Sequence, residues 1–179
     1  MSFGTIYTYP KAPRSTMVLY IADYLNLDVN IALARPIKVY PEHGGVGEEY
    51  LSKFPVGKVP ALETASGHCI YENIAISWFL AKQVPSAGLL GSSVVEEPPV
   101  CKKAIKGRQF LVGDQLTIAD LFVISGLARG YQYVFTKDWA ERHVIVHEYY
   151  MRFRSDTIFT KILGENIVLD EPGGVYPDY

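Results

Sequence analysis

The chain has 179 residues, 49% of them hydrophobic and 20% charged, the proportions of a globular protein with one domain or two small ones rather than of a disordered or fibrous chain. A formal charge of -2, without a Lys/Arg run of the kind that grips phosphates, predicts no nucleic-acid partner. The two cysteines, Cys69 and Cys101, stand in no CxxC or metal-ligand spacing and are too few for a disulfide framework, so a reducing, cytoplasmic setting is expected. The N-terminus, Met1-Ser-Phe-Gly-Thr, has neither a basic leader nor an apolar core, and no apolar run approaches the roughly 20 residues of a spanning helix, so no membrane partner is expected.

Thr5 to Tyr9 is rich in β-branched and aromatic residues and reads as a strand, and Pro10 and Pro13 punctuate the loop that follows it. A helix is predicted from about Arg14 to Leu25, because Met17, Tyr20, Ile21, Tyr24 and Leu25 keep the three-and-four spacing of one face. Asp28 to Ala32 reads as a second strand, and strand, helix, strand over so short a span is a βαβ unit with parallel strands. A short helix, Glu48 to Lys53, comes next. Ala61 to Thr64 and His68 to Tyr71 then read as a hairpin turning at Ala65-Ser66-Gly67. A helix from about Asn73 to Val84, with Ile74, Ser77, Trp78 and Ala81 on one face, closes the unit.

Pro85 to Gly113 has the composition of a linker. Helical periodicity then returns, and Thr117 with Asp120 three residues on has the form of a capping box with an acid in the positive first turn. Helices are predicted at about Ile118 to Val134, Lys137 to Arg154 and Thr157 to Leu163. His143 and His147 share a helical spacing but lack both the intervening Glu of an HExxH motif and an evident third ligand, so no metal is expected.

Four strings carry a resemblance: GTIYTYP at Gly4 to Pro10, KFPVGKVPALE at Lys53 to Glu63, YENIAI at Tyr71 to Ile76, and FLVGDQLTIADLF at Phe110 to Phe122. In this order the chain resembles the glutathione transferase superfamily, and within it the transferase-like domain of elongation factor 1 gamma. The resemblance implies an α/β plus all-α fold: a thioredoxin-like βαβ-ββα domain at 1–84, a linker or incomplete segment at 85–109, and a helical domain of glutathione transferase type at 110–179. It also implies glutathione as the cofactor, a small electrophilic substrate and a homodimer.

The resemblance further implies that Val59-Pro60 is a cis turn, leaving the backbone of Val59 free to pair with the cysteinyl unit of glutathione. Glu72 would hold the α-amino group of the γ-glutamyl unit. Asn73, where the family usually has Ser, would hold the α-carboxylate at the positive end of a helix, and Lys58 is the candidate for the glycyl carboxylate. A thiolate needs a neighbouring donor or cation; the end of the first strand and its loop offer Tyr7, Thr8, Tyr9, Lys11, Arg14 and Ser15, of which Tyr7 and Arg14 are named. Strand alternation puts Tyr7 and Tyr9 on one face and Thr8 on the other.

Two departures from the family pattern stand out. Only 22 residues, Ser92 to Gly113, precede the capping motif, whereas two helices of average length and their connection need more than about 25. Chain missing from this numbering is therefore expected, with an intact mass above 20.0 kDa. The chain also stops at Tyr179 without the further domain of the elongation factor, which reads as a stand-alone version. The expected function is a glutathione transferase that adds the thiolate to a small apolar electrophile. The alternatives are a glutathione-dependent cis-trans double-bond isomerase and a non-catalytic interaction module like that of the elongation factor.

Overall fold

The computed structural model describes residues 2–36, 45–91, 105–165 and 168–171. The chain divides into two compact units, Met1–Ala87 and Gly88–Tyr179.

The first unit is built on a four-stranded sheet of β1 (Gly4–Thr8), β2 (Val29–Leu33), β3 (Ala61–Thr64) and β4 (Cys69–Tyr71), in the order β2-β1-β3-β4. β1 runs parallel to β2 and antiparallel to β3, and β4 returns beside β3 as a hairpin. The crossover between β1 and β2 is α1 (Thr16–Tyr24), preceded by a 3-10 turn at Pro13–Ser15. Pro13 explains the turn: its fixed φ and missing N–H suit a helix start. α2 (Gly47–Lys53) precedes β3, and α3 (Asn73–Ala81) follows β4. Alternation along β1 sorts the core. Ile6 and its cross-strand partner Leu62 are fully buried, as are Val18, Ile21, Ile76 and Leu80 of α1 and α3. Tyr7 instead packs with the cluster of Ala34, Tyr50, Phe54, Val59 and Ala61 around α2. Gly4 is obligatory for proximity: a Cβ there would collide with the Glu63 carbonyl oxygen and lie 2.9 Å from Thr64 Cα.

Two helices depart from the periodicity reading. α3 stops at Ala81 and buries Ile76, Ser77, Leu80 and Ala81, while Ile74 and Trp78 are 59% and 48% exposed. Of the predicted face, Ser77 and Ala81 enter the core and Ile74 and Trp78 do not. The predicted helix from Lys137 to Arg154 is two: α5 (Lys137–Arg142) and α6 (Val144–Arg154), separated by His143 at φ -127°, ψ 43°. His143 lies flat on the Trp139 indole, 4.3 Å between centroids, and its Nδ1 meets the Trp139 carbonyl at 2.8 Å. These contacts hold the break.

The second unit also contains α4 (Ile118–Tyr133) and α7 (Thr157–Leu163). Asp120, fully buried, organises the start of α4. Its Oδ1 accepts from Leu111 N–H at 2.8 Å and from the Tyr149 hydroxyl at 2.7 Å. Its Oδ2 accepts from Thr117 N–H at 2.9 Å and from the Thr117 hydroxyl at 3.1 Å. One carboxylate thus joins the loop before α4, the cap of α4 and α6. The histidines of this unit have their own partners, since His147 Nδ1 meets the Tyr131 hydroxyl at 2.7 Å. Among the described residues no cluster could hold a metal ion, and no helix is long and apolar enough to cross a membrane. The expectation of missing chain falls on Ser92 to Gly113, of which 92–104 lie outside the described residues.

Removing the Asp120 carboxylate strands four donors, three of them in buried backbone or phenol positions. Asp120→Ala is expected to destabilise the protein by at least about 3 kcal/mol, read as a lowered urea midpoint in equilibrium unfolding.

Candidate functional site

The β3–β4 register builds the site. Ala61 lies opposite Tyr71, so in an antiparallel pair the residues just before β3, Val59-Pro60, come alongside those just after β4, Glu72-Asn73. The Val59–Pro60 peptide bond is cis. The Val59 side chain is buried in the α2 cluster, yet among the described residues neither its N–H nor its C=O has a hydrogen-bond partner. Buried backbone groups are nearly always paired, so this strand-like edge is a place where an extended peptide can bond. Lys58, exposed, precedes it, and its carbonyl accepts a hydrogen bond from the Tyr50 hydroxyl at 2.5 Å. Burial pushes the Tyr50 phenol up to about 12, the neighbouring Tyr7 adding to the rise, so it stays a donor.

Glu72 is an exposed residue at φ 72°, ψ 124°. A glycine would take that conformation freely, whereas a glutamate there carries strain of about 1–3 kcal/mol. Its carbonyl receives Ile76 N–H at 3.0 Å to open α3, and its side chain makes no capping bond. A strained backbone thus presents an acidic side chain that makes no capping bond beside the N–H groups of a helix start, where it can meet a cationic group. Asn73 does not point its amide into open space: Nδ2 donates to the Arg14 carbonyl at 3.1 Å. That bond ties the start of α3 to the 3-10 turn after β1, so Arg14, exposed in that turn, is brought to the Glu72–Asn73 end of the site.

Tyr7 requires a correction. Expected as a donor to the thiol, it donates its hydroxyl to Glu63 Oε2 at 2.7 Å and packs edge-on against Tyr50 and Phe54, with centroids 5.4 and 5.5 Å away. Burial first, then the Glu63 carboxylate, raises the phenol above its ordinary 10.0. A phenol already bonded to an anion is not poised to stabilise a second one. On the opposite face Thr8 is equally committed, its Oγ1 donating to Ser15 Oγ at 2.6 Å with both residues buried. The structure therefore brings together Lys58, Val59, Pro60, Glu72, Asn73 and Arg14, and sets Tyr7 apart.

Three residues that the motif reading passed over support this arrangement: Tyr50, Lys53 and Glu63. Lys53 Nζ reaches the same Glu63 oxygen at 3.0 Å and Glu49 at 3.6 Å. The Tyr7 hydrogen bond first, then that of Lys53, holds the Glu63 carboxyl below its ordinary 4.5. The only signal in the text was the four-residue spacing of Tyr50 and Phe54; the pairing of Lys53 with Glu63 depends on a sheet register that the text does not display.

Glutathione S-transferase models match both parts of the chain, the N-terminal domain over residues 2–82 and the C-terminal domain over residues 96–156. The chain belongs to the glutathione S-transferase family. It is 24% identical over 219 positions to glutathione S-transferase stcT of Emericella nidulans, covering 99% of each chain. It is 26% identical over 223 positions to elongation factor 1-gamma of Artemia salina, covering 99% of this chain and 50% of that one, so it spans about half the length of the elongation factor. Both alignments are longer than the 179-residue chain, so these relatives carry stretches with no counterpart in it. Among solved structures, the GST-like domain of elongation factor 1-gamma from Saccharomyces cerevisiae superposes with a TM-score of 0.71 at 19% identity, covering 96% of this chain and 98% of that one. The glutathione transferase URE2P6 from Phanerochaete chrysosporium, solved with oxidized glutathione, superposes with a TM-score of 0.73 at 14% identity, covering 90% and 94%. These likenesses establish the fold.

The depressed Glu63 titration makes a pH prediction. A carboxyl whose folded value lies below its unfolded value contributes stability that is present above the unfolded value and lost as pH falls through the folded one. The stability difference between wild type and Glu63→Gln should be constant from about pH 7 to about pH 5 and shrink below the ordinary carboxylate value. Thermal melts across that range check it, and parallel curves down to strong acid contradict it.

Proposed function

We propose that the chain binds glutathione and uses its thiolate on a small apolar electrophile. One observation carries the reading: the β3–β4 register sets an unpaired backbone edge at Val59 beside a strained, uncommitted carboxylate at Glu72. The two suit the two parts of one peptide. The cysteinyl unit pairs with Val59 as an added strand, and the γ-glutamyl ammonium meets Glu72. The γ-glutamyl carboxylate fits the first N–H groups of α3, with the Asn73 backbone rather than its side chain as donor, because that amide is engaged with Arg14. Lys58 suits the glycyl carboxylate. Arg14 is the thiol-activating residue in this reading: lowering a thiol from about 8.5 to about 6.5 takes roughly 2.7 kcal/mol, within reach of one guanidinium aided by a helix dipole.

The reaction is conjugation, the thiolate forming a carbon–sulfur bond with the electrophile and a proton from solvent completing the adduct. The isomerase alternative uses the same site, the thiolate adding to an activated double bond and leaving again after rotation. A second reading, a non-catalytic interaction module, is favoured by one observation: the hydroxyls at the end of β1 are already spent, Tyr7 on Glu63 and Thr8 on Ser15. A homodimer in a cytoplasmic setting completes the proposal; exposed Tyr71, Ile74 and Trp78 on β4 and α3 supply apolar surface for it, and light scattering in solution tests it.

Glu72→Ala should weaken glutathione binding by about 2–3 kcal/mol, measured by calorimetry on protein whose melting temperature is unchanged. Equal affinity would remove Glu72 from the site. Absorbance near the thiolate band of bound glutathione then separates the readings: Arg14→Ala should return the thiol pKa toward about 8.5, whereas Tyr7→Phe should leave it where it is. A thiol as weakly acidic as free glutathione in the wild type would support the interaction module.

A further inference from the structure

α2 has seven residues, too few to hold a helix in water without tertiary support. Its apolar contacts are rings: Tyr50 and Phe54 lie 4.9 Å apart and both meet Tyr7 edge-on. Edge-on ring contacts have a preferred geometry, but a broad one. The last residue of α2 adds a charge-assisted hydrogen bond, which is stronger and more specific in geometry. Lys53 Nζ and the Tyr7 hydroxyl meet on one oxygen of Glu63, at 3.0 and 2.7 Å, so a strand on either side and the end of α2 share a single anchor. Three residues before that anchor, on the same short helix, Tyr50 donates to the Lys58 carbonyl. That carbonyl and the Val59 N–H belong to one planar peptide group. Whatever orients the carbonyl orients the N–H.

We propose that Lys53 and Glu63, with Tyr7, act as positioning residues for glutathione: the clasp fixes the rotation of α2, α2 aims the Tyr50 hydroxyl, and Tyr50 sets the peptide plane that presents Val59 to the cysteinyl unit. The inference rests on the functional reading above and adds to it residues that touch no ligand. A clasp of this kind changes affinity rather than chemistry, since Tyr7 and Lys53 spend their donors on Glu63.

The test is calorimetric titration of the full chain with reduced glutathione, alongside melting temperature and steady-state kinetics. Lys53→Met and Glu63→Gln should each raise the dissociation constant roughly five-fold, and KM with it, while kcat holds. Tyr50→Phe should raise it roughly ten-fold. Lys53→Arg, which keeps the charge, should bind within about two-fold of wild type. The decisive variant is Lys53→Met combined with Tyr50→Phe: with the hydroxyl gone the clasp has nothing to aim, so the pair should bind no worse than Tyr50→Phe alone. Wild-type affinity in Lys53→Met and Glu63→Gln, or fully additive losses in the double variant, would overturn the proposal. Should wild type itself show no binding, the functional reading has failed, and the clasp is judged by hydrogen exchange at Gly57, whose N–H bonds to the Phe54 carbonyl just beyond α2. Faster exchange in Lys53→Met and Glu63→Gln upholds it; unchanged exchange sinks it.

Discussion

The pairing of β3 with β4 governs the N-terminal unit, because side-chain direction in a sheet has a period of two and a slip of one residue would reverse every face. With Ala61 opposite Tyr71 and Leu62 opposite Ile70, the two chain segments that flank the hairpin are brought side by side. The other edge of β3 carries a second register: against β1, Leu62 enters the core beside Ile6, and Glu63 comes to Tyr7 and Lys53. Gly4 belongs to that pairing, since only a residue without Cβ lets β1 approach the backbone of β3 so closely. The Val59 edge and the Glu72 carboxylate, which the proposal assigns to the ligand, are by-products of a pairing whose driving force is apolar burial on the far side of the sheet.

The two faces of the sheet then divide the labour. Toward α1 and α3 lie side chains that are fully buried and apolar, with Thr8 and Ser15 satisfying each other. Toward α2 lies a smaller cluster interrupted by Tyr7, Glu63 and Lys53, polar groups that are half-buried and mutually bonded. A core that needed only stability would gain little from an ion pair of this exposure. Directionality is what such a group adds to ring packing, and it is placed next to the helix whose Tyr50 hydroxyl meets the Lys58 carbonyl. In the second unit the same economy recurs in buried form, where Asp120 gathers four donors from three separate segments.

Much of this was legible in the amino-acid text. The β-branched and aromatic run at Thr5 to Tyr9, a glycine at the hairpin tip and the Thr117/Asp120 pair report local preferences, and local preferences survive into the fold. The proposed site residues Lys58, Val59, Glu72 and Asn73 could be singled out because they sit at element junctions that the motif strings mark. What escaped reading depended on partners distant in sequence. Tyr7 was taken for a thiol donor because nothing near it announces Glu63, 56 residues away. The Asn73 side chain was expected on the ligand because nothing near it announces the Arg14 carbonyl that its amide meets. An apolar stripe does not say which neighbour covers it, so the exposure of Ile74 and Trp78 was not legible, and the break at His143 rests on a stacking contact with Trp139 that periodicity cannot register.

The central claim is that one peptide spans the Val59 edge and the Glu72 carboxylate, and a comparison of ligands tests it most directly. Calorimetric titration of the wild-type protein with glutathione and with cysteinylglycine, which keeps the cysteinyl pairing and lacks the γ-glutamyl unit, separates the two halves of the site. The account predicts binding of glutathione at least roughly thirty-fold tighter than of the dipeptide, the share assigned to the γ-glutamyl contacts. Equal affinities, or no heat from glutathione at all, would contradict it.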